Sequence, residues 1–182
     1  MPHYVAFLRG INLGHRRIKM DRLRELFTEL GFRNVATLIA SGNVLFETAG
    51  RDRSKLERRI ERHLAKSLGY SVDTFVRTRA EVAAIVAAQP FAQSDHANPS
   101  HTLNVGFLKL PLAPELARKF AAVRTDLDEF RVLGLEYHWL YRGKRMSDSA
   151  VWTLPEVRAL KLPTATLRKL STLRELLAQF PA

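Results

Sequence analysis

Apolar positions cluster in short bursts along the first half of the chain, and the spacing inside each burst predicts its conformation. His3 to Arg9 (HYVAFLR) is a continuous β-rich apolar run, which predicts a first strand. In MDRLRELFTELG, Leu23, Leu26, Phe27 and Leu30 recur at helical spacing, and Gly31 supplies a stop. NVATLIAS and NVLFET are two further strand runs with Ser41-Gly42-Asn43 between them. RSKLERRIERHLAKSLG carries a stripe of Leu56, Ile60, Leu64 and Leu68, with Ser54 and Glu57 spaced as a capping box. SVDTFVRT is another strand. The order over residues 3–77 is β-α-β-β-α-β, the split βαβ pattern called ferredoxin-like.

A third helix is expected from Thr78, whose capping partner would be Glu81, to Pro90. FAQSDHANPSH is rich in turn formers and is expected to be a connecting loop. The rhythm then returns. TLNVGFLKL predicts a strand, and APELARKFAAV a helix with Pro114 in its first turn. EFRVLGLEYHWLYRG predicts a hairpin turning at Leu133-Gly134. SAVWTLPEVRAL predicts a helix interrupted at Pro155, and LSTLRELLAQF a closing helix. The expected fold is therefore α+β: two ferredoxin-like units, duplicated, the second incomplete with extra C-terminal helices in place of its last strand. The expected boundaries are 1–78, a connecting helix and loop at 79–101, and 102–182.

Composition narrows this picture. The 182 residues carry a formal net charge of +11, spread along the chain rather than gathered in a tail. Such a surface attracts phosphate-rich partners such as nucleic acid or nucleotides. There is no Cys, which excludes disulfides, thiolate catalysis and Cys-ligated zinc and fits a cytoplasmic address. No run approaches the length of a membrane helix, and the first residues do not read as a secretory signal. No membrane association is expected.

Candidate chemistry lies in two loops. Arg9-Gly10-Ile11-Asn12-Leu13-Gly14 follows strand 1, and Ser41-Gly42-Asn43 follows strand 2. Strands 1 and 2 run the same way, because a helix returns the chain between them. Both loops therefore leave the same end of the sheet. Strand 3 pairs with strand 1 in the split βαβ arrangement, about 4.8 Å away, so Asn43 is expected beside Arg9 and Gly10. The first loop continues through Arg16, Arg17 and Lys19 into a helix N-terminus, where free N–H groups favour anions. Gly10, Gly14 and Gly42 let backbone amides approach a ligand. Arg9 is suited to clamp a phosphate or carboxylate, and Asn12, Ser41 and Asn43 to add neutral hydrogen bonds. The expected function is binding of a phosphate-bearing ligand, nucleic acid or nucleotide, at these loops. The alternatives are an enzyme acting on a small anionic substrate at the same loops, or an interaction module whose loops serve only the fold. No general base stands beside the loops, so no catalytic residue is assigned.

At these residues the chain resembles a known family. YVAFLRGINLG, IKM, LRELFTELGFRNVATLIASGNVLFET, QPF, and Thr166 with Arg168 are similar to the bacterial domain-of-unknown-function family 1697. The resemblance covers essentially the whole chain and implies a duplicated ferredoxin-like arrangement with no assigned activity. The usual Thr-x-Arg-x-Trp ending has Leu170 in place of Trp. The resemblance adds Ser147, Thr166 and Arg168 as second-unit contributors.

The other constellations are weaker. RNA-recognition sheets stack bases on aromatics of strands 1 and 3. Here Tyr4 has the right phase, and Phe46 is expected on the opposite face. The arginines of helix 2 alternate with Glu57 and Glu61, which favours a solvated face with local ion pairs. Six histidines form no ligand pair at short spacing, so neither metal nor cofactor is expected. His96 and His101, near Asp95, read as loop residues first.

Overall fold

A computed structural model describes residues 1–12, 14, 17–38, 42–143 and 145–180. Two compact units share the chain, Met1–Ala84 with Glu175–Ala182, and Ile85–Arg174. Each contains a four-stranded antiparallel sheet, and the protein is mixed α+β.

In the first unit β1 (His3–Arg9) is central. It is flanked by β3 (Asn43–Glu47) and β4 (Asp73–Thr78), and β2 (Arg33–Leu38) forms an edge, giving the order β2-β3-β1-β4. The five residues Tyr4 to Leu8 are all buried, so both faces of β1 are covered. This is why its apolar run is continuous rather than alternating. One face carries Tyr4, Ala6 and Leu8 against α1 (Met20–Glu29) and α2 (Arg53–Leu68), through Leu23, Leu26, Phe27, Leu56, Ile60 and Leu64. Val5, Phe7, Leu45, Phe75 and Arg77 are buried on the other face.

Tyr4 and Phe46 are directly opposite in register, so they share a face, and their rings stack 5.6 Å apart within the core. Phe46 therefore does not point away from Tyr4 as the sequence reading expected. The Tyr4 hydroxyl donates to the Gly50 carbonyl at 2.8 Å, and no open aromatic platform is built there.

The cap of α2 also differs from expectation. Asp52, not Ser54, is the N-cap and accepts from the Lys55 N–H at 3.0 Å. Glu57 is instead buried and accepts the Val76 N–H of β4 at 2.9 Å. A helix-to-sheet bond of this kind leaves no trace in local spacing. The Thr78–Glu81 box does form at the start of α3 (Arg79–Ala87): Glu81 N–H donates to Thr78 Oγ1 at 3.1 Å, and Thr78 N–H to Glu81 Oε2 at 2.8 Å.

In the second unit the segment expected as a loop holds a short helix, α4 (Gln93–Ala97). Next come β5 (Thr102–Phe107), α5 (Pro114–Ala122), β6 (Asp128–Leu133) and β7 (Glu136–Tyr141). Leu133 pairs with Glu136, so the hairpin turns at Gly134-Leu135, one residue later than expected. Two 3-10 turns (Met146–Asp148, Val151–Thr153) precede α6 (Pro155–Ala159). The sequence pattern predicts no last strand for this unit. The strand exists: β8 (Thr166–Lys169) pairs antiparallel with β5, giving the order β6-β7-β5-β8. Four residues abutting α7 (Leu170–Gln179) are too few to show a strand period. The aromatic strand residues Tyr137, Trp139 and Tyr141 are core, packed with Phe130, Phe120 and Val151.

Candidate functional site

The first loop is rooted at one end in the core. Ile11 is buried to 2% exposure and belongs to the first unit's apolar cluster. Its carbonyl accepts the Tyr70 hydroxyl at 3.0 Å, a tie across fifty-nine positions that no local motif announces. Asn12 then folds the loop back on itself. Its Oδ1 accepts the Ile18 N–H at 2.9 Å, and its carbonyl accepts from the Arg17 guanidinium at 3.2 Å. Gly10 and Gly14 have φ of 80° and 59°, a region that L side chains adopt only with strain.

The second loop meets the first where the strand register requires. Phe7 is opposite Asn43, and the Leu8 N–H donates to the Gly42 carbonyl at 2.8 Å. Gly42 has φ 80°, and a β-carbon there would lie 2.7 Å from Ile11 Cγ2 and 3.0 Å from Leu8 Cβ. Only a hydrogen fits, so the second turn is pressed against the root of the first. Asn43 is 1% exposed, and its Nδ2 donates to the Leu38 carbonyl at 3.0 Å, joining the end of β2 to the start of β3. The two loops are thus neighbours, but through Gly42 with Leu8 and Ile11; Asn43 is opposite Phe7 rather than beside Arg9 and Gly10.

Charged residues flank the first loop in the chain. Arg9 ends β1 opposite Asp73, with Nη1 3.5 Å from Asp73 Oδ2 and both side chains about half exposed (53% and 45%). Arg17 and Lys19 are exposed. Lys19 is the extended residue that enters α1 and makes no side-chain cap bond. Asp21, in the first turn of α1, is engaged by Arg24. Arg16 and Ser41 lie outside the described residues. Asn12 and Asn43, expected as ligand donors, engage their own loops in the contacts above. What the junction offers outward is guanidinium and ammonium charge and glycine backbone.

Ser147, Thr166 and Arg168 belong to the second unit. Ser147 is exposed, and its hydroxyl donates to Asp148 at 3.2 Å. Arg168 is buried in β8, donating to Thr166 Oγ1 at 2.9 Å and to the Leu167 carbonyl at 2.7 Å. Burial pushes its pKa down to about 10.

Sequence spacing also missed a charged network in this unit. Arg142 donates to both oxygens of Asp95, at 3.2 Å each, and to Glu129 at 2.7 Å. Glu129, only 5% exposed, also receives Arg124 and Arg131. The Arg142 hydrogen bond holds the Asp95 carboxyl below its usual range. Among the described residues no group of three or more His, Asp or Glu side chains is placed to hold a metal ion, and no helix is long and apolar enough to cross a membrane.

A family model described as a protein of unknown function, DUF1697, matches residues 1–137. A solved structure of a conserved bacterial protein from Streptococcus pneumoniae is similar to this chain with a TM-score of 0.73 at 18% identity, over 98% of this chain and 97% of that one. At that identity the likeness concerns the fold alone. No curated protein matches the chain.

Proposed function

The chain belongs to the DUF1697 family, and from that premise we propose that it is a cytoplasmic protein binding a phosphate-bearing ligand, nucleic acid or nucleotide, at the joined loops. The observation that carries the reading is the contact of Gly42 with Ile11 and Leu8. It makes one corner of two distant segments; Arg9 ends the strand leading into it, and the exposed Arg17 and Lys19 follow the first loop in the chain. Arg9 and Lys19 supply the charge, Arg17 braces Asn12 and adds to it, and Gly10 and Gly14 put no side chain in a ligand's way. Asn12 and Asn43 hold the loops in shape. The basic balance of +11 and the absence of Cys agree with this reading.

We read the two sheets as ferredoxin-like units related by duplication. Equivalent strand orders support this, as does the register: Val5 lies between Leu45 and Arg77, and Val105 between His138 and Arg168. The same central Val and the same outer Arg recur.

The test is fluorescence anisotropy with a labelled single-stranded oligonucleotide and a labelled nucleoside triphosphate. Both replaced side chains in Arg9→Ala/Lys19→Ala are solvent-facing, so the fold should persist. Loss of two phosphate contacts should weaken oligonucleotide binding at least about tenfold at low salt and lower the slope of log affinity against log salt by about 1.4. Unchanged affinity and slope would favour a second reading, already favoured by the engagement of Asn12 and Asn43, in which the loops serve only the fold.

A further inference from the structure

A cavity of about 360 Å³ opens in the second unit between the chain around α4 and the start of α7. Its size falls in the range of small-molecule sites, roughly 300–1,000 Å³. Its walls include the cations Lys169 and Arg174, the hydroxyl residue Ser171, and the imidazoles of His96 and His101. Among the described residues no carboxylate lines it; Asp95 lies behind the wall, 3.2 Å from His101, so the lining itself carries two cations and no acid.

The imidazoles are held in different ways. His101 Nδ1 lies 3.2 Å from Asp95 Oδ1, and its Nε2 lies 3.1 Å from the side-chain nitrogen of Asn98. Among the described residues His101 Nδ1 makes no well-formed hydrogen bond, so its contact with Asp95 is one of charge and proximity. That carboxylate is itself fixed by the two-point contact from Arg142.

His96 has no ring nitrogen within ion-pair distance of a carboxylate among the described residues. Its ring nitrogens are buried and make no well-formed hydrogen bond among the described residues, although the Gln89 backbone is near enough to be felt. Burial, followed by the Arg174 charge, holds His96 below the ordinary imidazole range. Buried polar atoms without partners are rare, and His96 is among the residues that line this cavity.

We propose that this cavity binds a small molecule through a compact oxyanion, phosphate or carboxylate, held by Lys169, Arg174 and Ser171, with His96 and His101 in its wall. The site lies within the second unit and does not depend on the loop reading of the first.

The probes are inorganic phosphate, pyrophosphate and succinate, each titrated in low-salt buffer while the histidine ring protons are followed by NMR, with His96 assigned through His96→Gln. A bound anion offsets the Arg174 charge, so the His96 titration midpoint should rise as each binding probe saturates. A response to phosphate and pyrophosphate alone assigns a phosphate ligand, and one to succinate alone a carboxylate. Lys169→Gln/Arg174→Gln should weaken the response at least about tenfold, a typical loss for removed charge-assisted bonds. Arg174→Lys should largely keep it, and the exposed-cation control Arg118→Gln should leave it intact. If the double variant does not fold, each single charge removal must weaken the response. The loop variant Arg9→Ala/Lys19→Ala should respond as the native chain does, which separates failure here from failure of the loop reading. No saturable response to any probe, or a response retained without both cations, overturns the proposal.

Discussion

Replacing Gly42 by Ala puts a number on the packing of the two loops. Two costs arise. The backbone at φ 80° is left-handed, which for an L side chain costs about 1–2 kcal/mol. The new methyl would also lie 2.7 Å from Ile11 Cγ2 and 3.0 Å from Leu8 Cβ, both on buried residues. Displacing packed neighbours costs typically about 1–3 kcal/mol more. Gly14→Ala is the matched control: its φ is 59°, and no described atom lies within 4 Å of an added β-carbon, so it carries the strain alone. Urea unfolding of both variants, followed by far-UV dichroism, isolates the contact. Gly42→Ala should exceed Gly14→Ala by about 1–3 kcal/mol, a midpoint difference of roughly 0.5–1.5 M at a slope near 2 kcal/mol/M. Equal losses would mean that the second turn does not press on the first, and the argument for a joint corner would fail.

Asn43→Ala should cost about 1–3 kcal/mol by leaving the Leu38 carbonyl without its side-chain donor and a buried gap at the turn; a loss below half of that in the same unfolding assay would return Asn43 to the list of ligand donors. Thr78→Ala should remove the reciprocal cap of α3 at about 1 kcal/mol, and Ser54→Ala should cost markedly less because Asp52 is the cap of α2. His138 is 4% exposed, and burial, with the His96 charge adding, pushes its pKa down to about 4. The unfolded imidazole titrates near 6.5, so the unfolded chain takes up the proton first as pH falls. The stabilisation is complete above about pH 6.5 and is lost as pH drops towards 4, by about 3 kcal/mol. His138→Gln should flatten stability across that window, and parallel curves for variant and native chains would contradict the assignment.

How much of this was legible beforehand depended on whether the determining interaction is local. Strand β1, the stripes of α1 and α2, and the Thr78–Glu81 box all reside in spacings of a few residues, and the sequence carries them openly. The meeting of the two loops was also legible, because strand direction and pairing follow from element order. The roles of Asn12 and Asn43 were not. A side-chain amide suits a ligand and a backbone carbonyl equally well, and only coordinates show that Ile18 and Leu38 are the groups engaged. Tyr70 on Ile11 and Glu57 on Val76 are invisible for a related reason: each joins residues far apart in the chain. The short β8 fell below the length at which periodicity can speak, and α4 was hidden by residues that favour turns. The Asp95–Arg142–Glu129 network assembles from three separate segments, and no spacing rule connects them.

The account rests most on the two loops forming one anion-holding corner. The direct measurement is an amide NMR titration with inorganic phosphate and a short oligonucleotide at low salt, following Gly10, Gly14, Gly42 and the amides entering α1. Concerted, saturable shifts of these signals that vanish in Arg9→Ala/Lys19→Ala are the predicted result. Shifts confined to other parts of the first unit, or none at phosphate concentrations well into the millimolar range, would contradict it.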